Sequence, residues 1–382
     1  MKSLSTDEID FEGENTVAVV FDGLEDPRIN RHKLYPVSEI FFLTLAASLV
    51  GVRSWRGAET FGNERLEWLR GFLPYEEGIP SHQTIGRVFS LVKPAALERA
   101  FVQFMSSVTN RSPEQIIALD GKTLRGSFDK AKGQKALHIL NACAIENGLS
   151  LGQLIVGEKT NEITAVPELL DMLDLKNATI TTDALNTQKD IAQKLISSKN
   201  DYVLPVKGNQ KNLLEEIQQE FETTVANIDG MNFLETVEKA HGRIDRRTYA
   251  TLPAAHLNAF SVWPGLQSIG MAVTESQRGE KTTQEIRYYI TSFIPDVKRF
   301  ATAVRGHWGV ENKLHWSLDV TFGEDDSRIR KDHAPVNFSL IRKLALNLMR
   351  NEKTCRKSIP QKMIKASLNP EYHSLLLRSA GF

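Results

Sequence analysis

Apolar residues recur at three- and four-residue spacing from about His32 to Arg111, in VSEIFFLTLAASL, GAETFGNERLEWLRGFL, SHQTIGRVFSLV and PAALERAFVQFM. That is the period of helices that bury one face. Ser81 stands where the third helix would take its N-cap, just after Pro80, and Pro94 opens the fourth. The pattern predicts a compact helical domain. It either serves as structure alone or contains a helix-turn-helix that sets Ser81, His82, Gln83 and Arg87 against DNA.

The period changes at EQIIALDGKT. The runs IIALD, ALHILNACAIE and LSLGQLIVGEK predict three strands, followed by a helix TAVPELLDML, a strand ATITTDAL, a helix TQKDIAQKLISS and a strand DYVLPVKGN. This order predicts a mixed α/β fold. The first three strands would form an antiparallel meander, and right-handed crossovers would bring the later ones beside the first. The ends of strands one and four then become neighbours, so Asp120 and Asp183 meet at one edge of the sheet. After VKGNQKNLLEEIQQEF, the alternating runs FLETVEKAHGRIDRRTYATL, LQSIGMAVTES and QEIRYYITSF predict a small antiparallel sheet, inserted before a final helix from Val297 to Leu318.

The stretch IIALDGKTLRGS ends an apolar run at an acid and passes straight into Gly121, Lys122 and Thr123. These resemble the close of a phosphate-binding loop, but Ile116 occupies the position of the opening glycine, inside the strand, so no loop is left to wrap a triphosphate. Asp120 is placed either to hold a hard cation such as Mg²⁺ or simply to start an Asp-Gly turn. In the final helix His307, Glu311 and His315 lie four apart on one face. They form either a metal site or a polar helix face of satisfied side chains, and without His-Glu-x-x-His spacing the pattern does not point to a zinc enzyme.

Composition narrows the class. The chain has 382 residues, with 47 basic and 47 acidic side chains, which argues against a generic polyanion binder. The distribution is uneven. Asp7, Glu8, Asp10, Glu12 and Glu14 make an acidic start, unlike a secretory n-region. The segment after Arg328 is basic through Arg330, Lys331, Arg342, Lys343, Arg350, Lys353, Arg356, Lys357, Lys362 and Lys365, either a footprint for nucleic acid or a solvated face. The longest apolar run, Ile40 to Val52, is short of the roughly 20 residues a membrane span needs. Cys143 and Cys355 indicate neither a disulfide framework nor a cysteine metal site. A cytoplasmic protein is expected.

The phrases ALDGKTLRGS, NEITAVPELLDMLDL, TTDALNTQKDIA, DYVLPVKGNQ, HGRIDRR, RYYITS and RGHWGVENKLHWSLDVTFGEDDSRIRK occur in order over nearly the whole chain. Together they resemble the transposases of bacterial insertion sequences of the H-repeat-associated branch. The resemblance implies a ribonuclease-H-like core with a mixed five-stranded sheet flanked by helices, a β-rich insertion and an N-terminal helical domain. It carries the three acids of a DDE site onto Asp120, Asp183 and Glu311, as catalytic residues and metal ligands. Counting from Glu311, the wider superfamily's Tyr, Arg and Lys positions fall here on Val304, His307 and Leu318. Arg305, His307, Lys313 and His315 are therefore the local candidates for phosphate contact. Lys122, Arg125 and Lys207 follow the two sheet edges and are candidates too, or solvated loop charges.

Two Mg²⁺ ions, with Mn²⁺ able to substitute, would neutralise the acids and polarise the attacking and leaving oxygens of an in-line displacement at phosphorus. Water as nucleophile cuts the element end, and the freed 3′-hydroxyl joins target DNA. The partners implied are double-stranded DNA with terminal inverted repeats, target DNA and a second copy of the chain when assembled on DNA. A nuclease that only cuts, or an inactive DNA-binding descendant, are the rival readings. Trp308 and Trp316 are core residues by default, or platforms for an unpaired base. The expected divisions are 1–30 acidic tail, 31–112 helical domain with possible DNA-end binding, 113–221 first part of the core, 222–294 insertion and 295–382 rest of the core with the basic C-terminus. Glu324, Asp325 and Asp326 are denser than Glu311 but read as a loop pairing with Arg328 and Arg330.

Overall fold

A computed structural model describes residues 21, 23–29, 33–108, 115–130, 133–157, 162–225, 232–240 and 242–379. The acidic start from Asp7 to Glu14 lies outside them. The chain divides into two compact units, Met1–Asn110 with Leu318–Phe382, and Arg111–Ser317.

In the first unit α1 (Val37–Leu49) is buried almost all round, which is why its apolar residues do not keep to one stripe. Helices α2 (Trp55–Glu64), α3 (Leu66–Leu69), α4 (His82–Leu91) and α5 (Pro94–Val108) follow. Ser81 caps α4 by accepting from the Thr84 amide at 3.3 Å, as the sequence suggested. Helix α10 (Ala334–Asn351) packs on α1, α4 and α5, and α11 (Ile359–Leu368) and α12 (Pro370–Arg378) complete the unit. The C-terminal segment thus groups with the N-terminal helices, not with the sheet as expected. Apolar burial decides this: Phe338, Leu340, Ile341 and Leu344 on α10 are buried, each contributing about 1.5–3 kcal/mol.

The second unit is built on one nine-stranded sheet in the order β3-β2-β1-β4-β5-β9-β8-β7-β6. Strands β1 (Ile116–Leu124), β2 (Leu137–Ala144) and β3 (Ser150–Val156) form the antiparallel meander, and β4 (Thr179–Thr181) and β5 (Asp201–Val206) add parallel strands beside β1. Helices α6 (Glu162–Leu173) and α7 (Lys189–Ser197) make the crossovers, and α8 (Lys211–Val225) follows β5. The first five strands keep the order expected of a ribonuclease-H-like core.

The insertion differs from the expectation. Its strands β6 (Asn232–Ala240), β7 (Arg243–Pro253), β8 (Ser268–Arg278) and β9 (Lys281–Thr291) do not form a separate small sheet. Instead β9 pairs antiparallel with β5, from Val203 opposite Thr291 to Val206 opposite Tyr288, and continues the core sheet. An open edge at β5 is satisfied by this pairing, since unpaired strand edges are a liability.

Helix α9 (Val297–Val310) lies across this sheet. Asp296 caps it by accepting from the amides of Lys298 and Arg299, and Arg299 ties it to Asp201 and Thr179 at 2.6 Å each. Phe300 meets Tyr249 and Tyr289 edge to face at ring distances of 6.2 and 5.3 Å. Gly306 allows close approach, because a Cβ there would lie 2.3 Å from Ile145. At Glu311 the helix widens into a π turn, Glu311–His315, where the sequence spacing predicted continuous α-helix. A second π segment, Ser317–Thr321, follows, and π turns inside helices are frequent at functional sites.

Candidate active site

Parallel pairing sets Asp120 and Asp183 at equal depth. Ala118 on β1 is opposite Thr181 on β4, and each acid follows its paired residue by two positions. Asp183 is held further as the cap of the short turn Ala184–Asn186, accepting from the Asn186 amide. Asp120, Asp183 and Glu311 line one cavity of about 230 Å³, so the three acids named from the sequence share a site. Glu311 arrives on the π turn and is exposed.

Burial, then the charges of Asp183 and Glu162, push the Asp120 carboxyl up to about 6; Glu311 adds to this and the Gly121 amide opposes it. Burial and the Glu162 charge raise Asp183 as well, against hydrogen bonds from Asn186. Carboxylates pressed together in this way favour a hard cation with oxygen ligands, so the donor chemistry fits Mg²⁺ or Mn²⁺. Among the described residues no three His, Cys, Asp or Glu side chains are already closed around a metal.

Among the phosphate-contact candidates, Lys207 and His307 line the cavity, and Lys207 is exposed. His307 does not enter as a cation: it shares a 3.0 Å hydrogen bond with Thr181, and burial, helped by Arg287, holds its ring down at about 4. His315 is buried with Nδ1 3.5 Å from Asp120 Oδ2, an acid's neighbour more than a phosphate ligand. Lys122 is buried in β1. Arg125 is exposed on the turn after β1, outside the cavity lining. Arg305 pairs with Glu238 at 2.7 Å, and Lys313 donates to the Ile145 carbonyl at 3.1 Å.

Sequence reasoning missed Arg287, which lines the cavity with its guanidinium 3.8 Å from the Trp308 ring centroid. It lies in RYYITS, on the strand that closes onto β5, and only the joined sheet brings it here. Trp308 and Trp316 are 42% and 55% exposed, so neither is the core residue that was the default. Glu162, His138 and Asn186 were missed too, although Asn three places after Asp183 carries the signal of a turn cap.

The acidic segment after Phe322 is used differently. Glu324 is buried, accepts from Ser339 at 2.7 Å and faces Arg342 at 3.9 Å, where pairing with Arg328 and Arg330 was expected.

A sheet that brings two strand-end acids and a helical glutamate to one cavity has the arrangement expected of a DDE domain. Residues 111–348 match the family described as Transposase DDE domain, and residues 18–105 match its DDE_Tnp_1-associated region, so the chain belongs to that transposase family. It is 42% identical to the "Putative transposase YncI" of Escherichia coli O157:H7, over 92% of this chain and 90% of that protein. It is 38% identical to the "H repeat-associated putative transposase YhhI" of Escherichia coli strain K12, over 92% and 93%. Among solved structures, a piggyBac transposase synaptic complex with hairpin DNA aligns over 95% of this chain and 80% of that one, with 13% identity and a TM-score of 0.43. Among the described residues no helix is long and apolar enough to cross a membrane.

Proposed function

We propose that this transposase cuts DNA at the ends of an insertion sequence and joins the freed 3′-hydroxyl to target DNA. The observation that carries the reading is the meeting of Asp120, Asp183 and Glu311 at one cavity. Bound Mg²⁺, as a pair of ions, supplies polarisation of the attacking and leaving oxygens. The chain's own part is to hold the acids at fixed depth and to offer Lys207 and Arg287 from the cavity wall to the phosphates. The path needs no covalent protein intermediate. The helical unit reads the element ends, with Gln83 and Arg87 exposed on α4, and two copies act together on DNA.

Purified protein with a duplex carrying the terminal repeats tests the reading. Metal-dependent nicking and joining of a precut end are expected, both lost in Asp183→Asn. Cutting without joining would make the protein a nuclease, and neither activity in the wild type would make it an inactive descendant. Gel shifts with Gln83→Ala and Arg87→Ala in the full chain should lose preference for terminal repeats over random DNA. An unchanged preference would remove α4 from end recognition.

A further inference from the structure

Glu162, the first residue of α6, lies over Gly121 of β1: a Cβ on residue 121 would sit 2.1 Å from its Oε1 and 2.5 Å from His138 Nε2. A side chain at 121 would expel Glu162. Both carboxylate oxygens of Glu162 are occupied. Oε1 meets His138 Nε2 at 2.5 Å, and the other His138 nitrogen meets Thr123 Oγ1 at 3.0 Å. Oε2 accepts from Asn186 Nδ2 at 3.0 Å, and the same nitrogen donates to Asp183 Oδ1 at 2.8 Å. Asn186 is fully buried. Its amide can face only one way, since two carboxylates converge on it and only the NH₂ end has two protons to give.

The result is a chain of hydrogen bonds, Thr123, His138, Glu162, Asn186, Asp183, that runs from β1 and β2 through the start of α6 to the end of β4. We infer that Glu162 is a positioning residue for Asp183, acting through Asn186, and that position 121 is glycine to admit it. The inference rests on the reading of Asp183 as a site acid. In this arrangement Glu162 acts through the two groups its oxygens meet, His138 and Asn186. It fixes the side chain that fixes the acid, in the way that groups behind a metal's ligands orient them. This also answers why DGK follows the apolar run: Asp120 turns to the cavity, and the next residue must have no side chain.

Two substitutions separate geometry from charge. Glu162→Gln keeps an oxygen for Asn186 and offers an NH₂ to His138, so it keeps the chain and loses the charge. Glu162→Asp keeps the charge but is one methylene too short to span the chain. Mn²⁺ alone, titrated into the full-length protein and followed by the free-ion EPR signal, is the probe, with thermal unfolding measured beside it. Glu162→Asp should weaken Mn²⁺ binding by about tenfold or more, the scale set by lost ligand-orienting partners, while Glu162→Gln stays near wild type. Gly121→Ala should reproduce the loss, and combining it with Glu162→Asp should add little, since both break one link. Gln as damaging as or worse than Asp would overturn the inference in favour of a charge or ligand role. Lowered melting with unchanged Mn²⁺ binding in all three variants would leave Glu162 structural. If Glu162→Asp does not fold, Glu162→Gln and Gly121→Ala still decide by the same readout. Failure of the underlying reading looks different: Asp183→Asn would bind Mn²⁺ like wild type.

Discussion

Both units hold acids away from water, but they neutralise them differently. In the helical unit Glu324 faces Arg342 and accepts from Ser339, and Glu352 pairs with Lys362 at 3.1 Å while Tyr372 donates to it at 2.8 Å. Against the effect of burial, hydrogen bonds from Thr354, Tyr372, the Cys355 amide and Lys362 hold the Glu352 carboxyl down at about 2. In the sheet unit burial and neighbouring carboxylates raise both Asp120 and Asp183, although His315 lies 3.5 Å from Asp120 and Asn186 donates to Asp183. An acid matched by an internal cation is finished as part of the fold. Acids crowded by other acids, with imidazoles in place of a lysine or arginine beside them, are destabilising unless more positive charge arrives from outside, and that difference, more than acid density, sets the cavity apart.

Removing a crowded acid and removing a matched one should therefore have opposite consequences. Asp120→Asn or Asp183→Asn should lower cleavage by roughly 10³-fold or more, the scale for a group that acts in the transition state, while the melting temperature holds or rises as repulsion is relieved. Glu311→Gln should do the same. Glu324→Ala should instead leave Arg342 buried without its partner and cost about 3–5 kcal/mol of stability, with cleavage per folded molecule nearly intact. Asp326→Ala, at an exposed position, should stay within about 0.5 kcal/mol of wild type. Cleavage and urea unfolding of each variant give the comparison; full activity in Glu311→Gln with loss in Glu324→Ala would reverse it.

Acid should expose the helical unit's dependence on its buried groups. His373 is buried, stacked on Trp68 at 4.4 Å, and burial holds its ring down at about 4 although the Ala46 backbone accepts from it. Above about pH 6.5 the ring is neutral whether folded or not. Between 6.5 and 4 the unfolded chain binds the proton and the folded one does not, so stability falls as the pH is lowered, by about 3 kcal/mol across the window. Glu352 has the same sign at lower pH: its stabilisation is lost as pH falls from 4.5 towards 2. Urea titrations from pH 7.5 to 4 should show the first loss in wild type and a flatter profile in His373→Phe. Equal slopes would remove His373 as the cause.

Much of the site was legible because it rests on strand ends. Strand order follows from the run of three strands before a helix, and Asp120 and Asp183 each close an apolar run, so their meeting follows from topology. The resemblance supplied Glu311. What was not legible depended on contacts no period reports. The π turn is a matter of backbone hydrogen bonding that residue spacing over one turn does not report, so Glu311 read as ordinary helix. Arg287 reaches the cavity only because β9 joins β5, and periodicity cannot tell a separate sheet from a continued one. Glu162 lay in a quoted motif with no assigned role, since its partner is the missing side chain of Gly121. The basic C-terminus misled in a similar way: Arg342, Lys343 and Lys362 are buried, held there by neighbours that charge counting does not see.

Burial of those three residues also limits the smallest of the expected effects. With them inside the helical unit, the basic residues counted from the sequence that stay exposed are Lys331, Lys353, Arg356, Lys357 and Lys365, and three of these, Lys353, Arg356 and Lys357, form a cluster. A full footprint from the whole basic segment would involve many phosphates and a steep salt dependence. The exposed cluster can neutralise only a few. Replacing Lys353, Arg356 and Lys357 with neutral residues should weaken binding to terminal-repeat and random duplexes alike, and reduce the slope of log K against log salt by roughly 0.9 for each phosphate no longer neutralised. Lys362→Gln serves as the contrast. Its ammonium donates to the Glu352 and Met349 carbonyls at 2.6 and 2.7 Å, so the change should lower stability and leave the slope alone. Salt titrations of binding by both variants settle it: an unchanged slope in the triple variant would make the cluster a solvated face, and a reduced slope in Lys362→Gln would mean that buried charge still governs DNA binding.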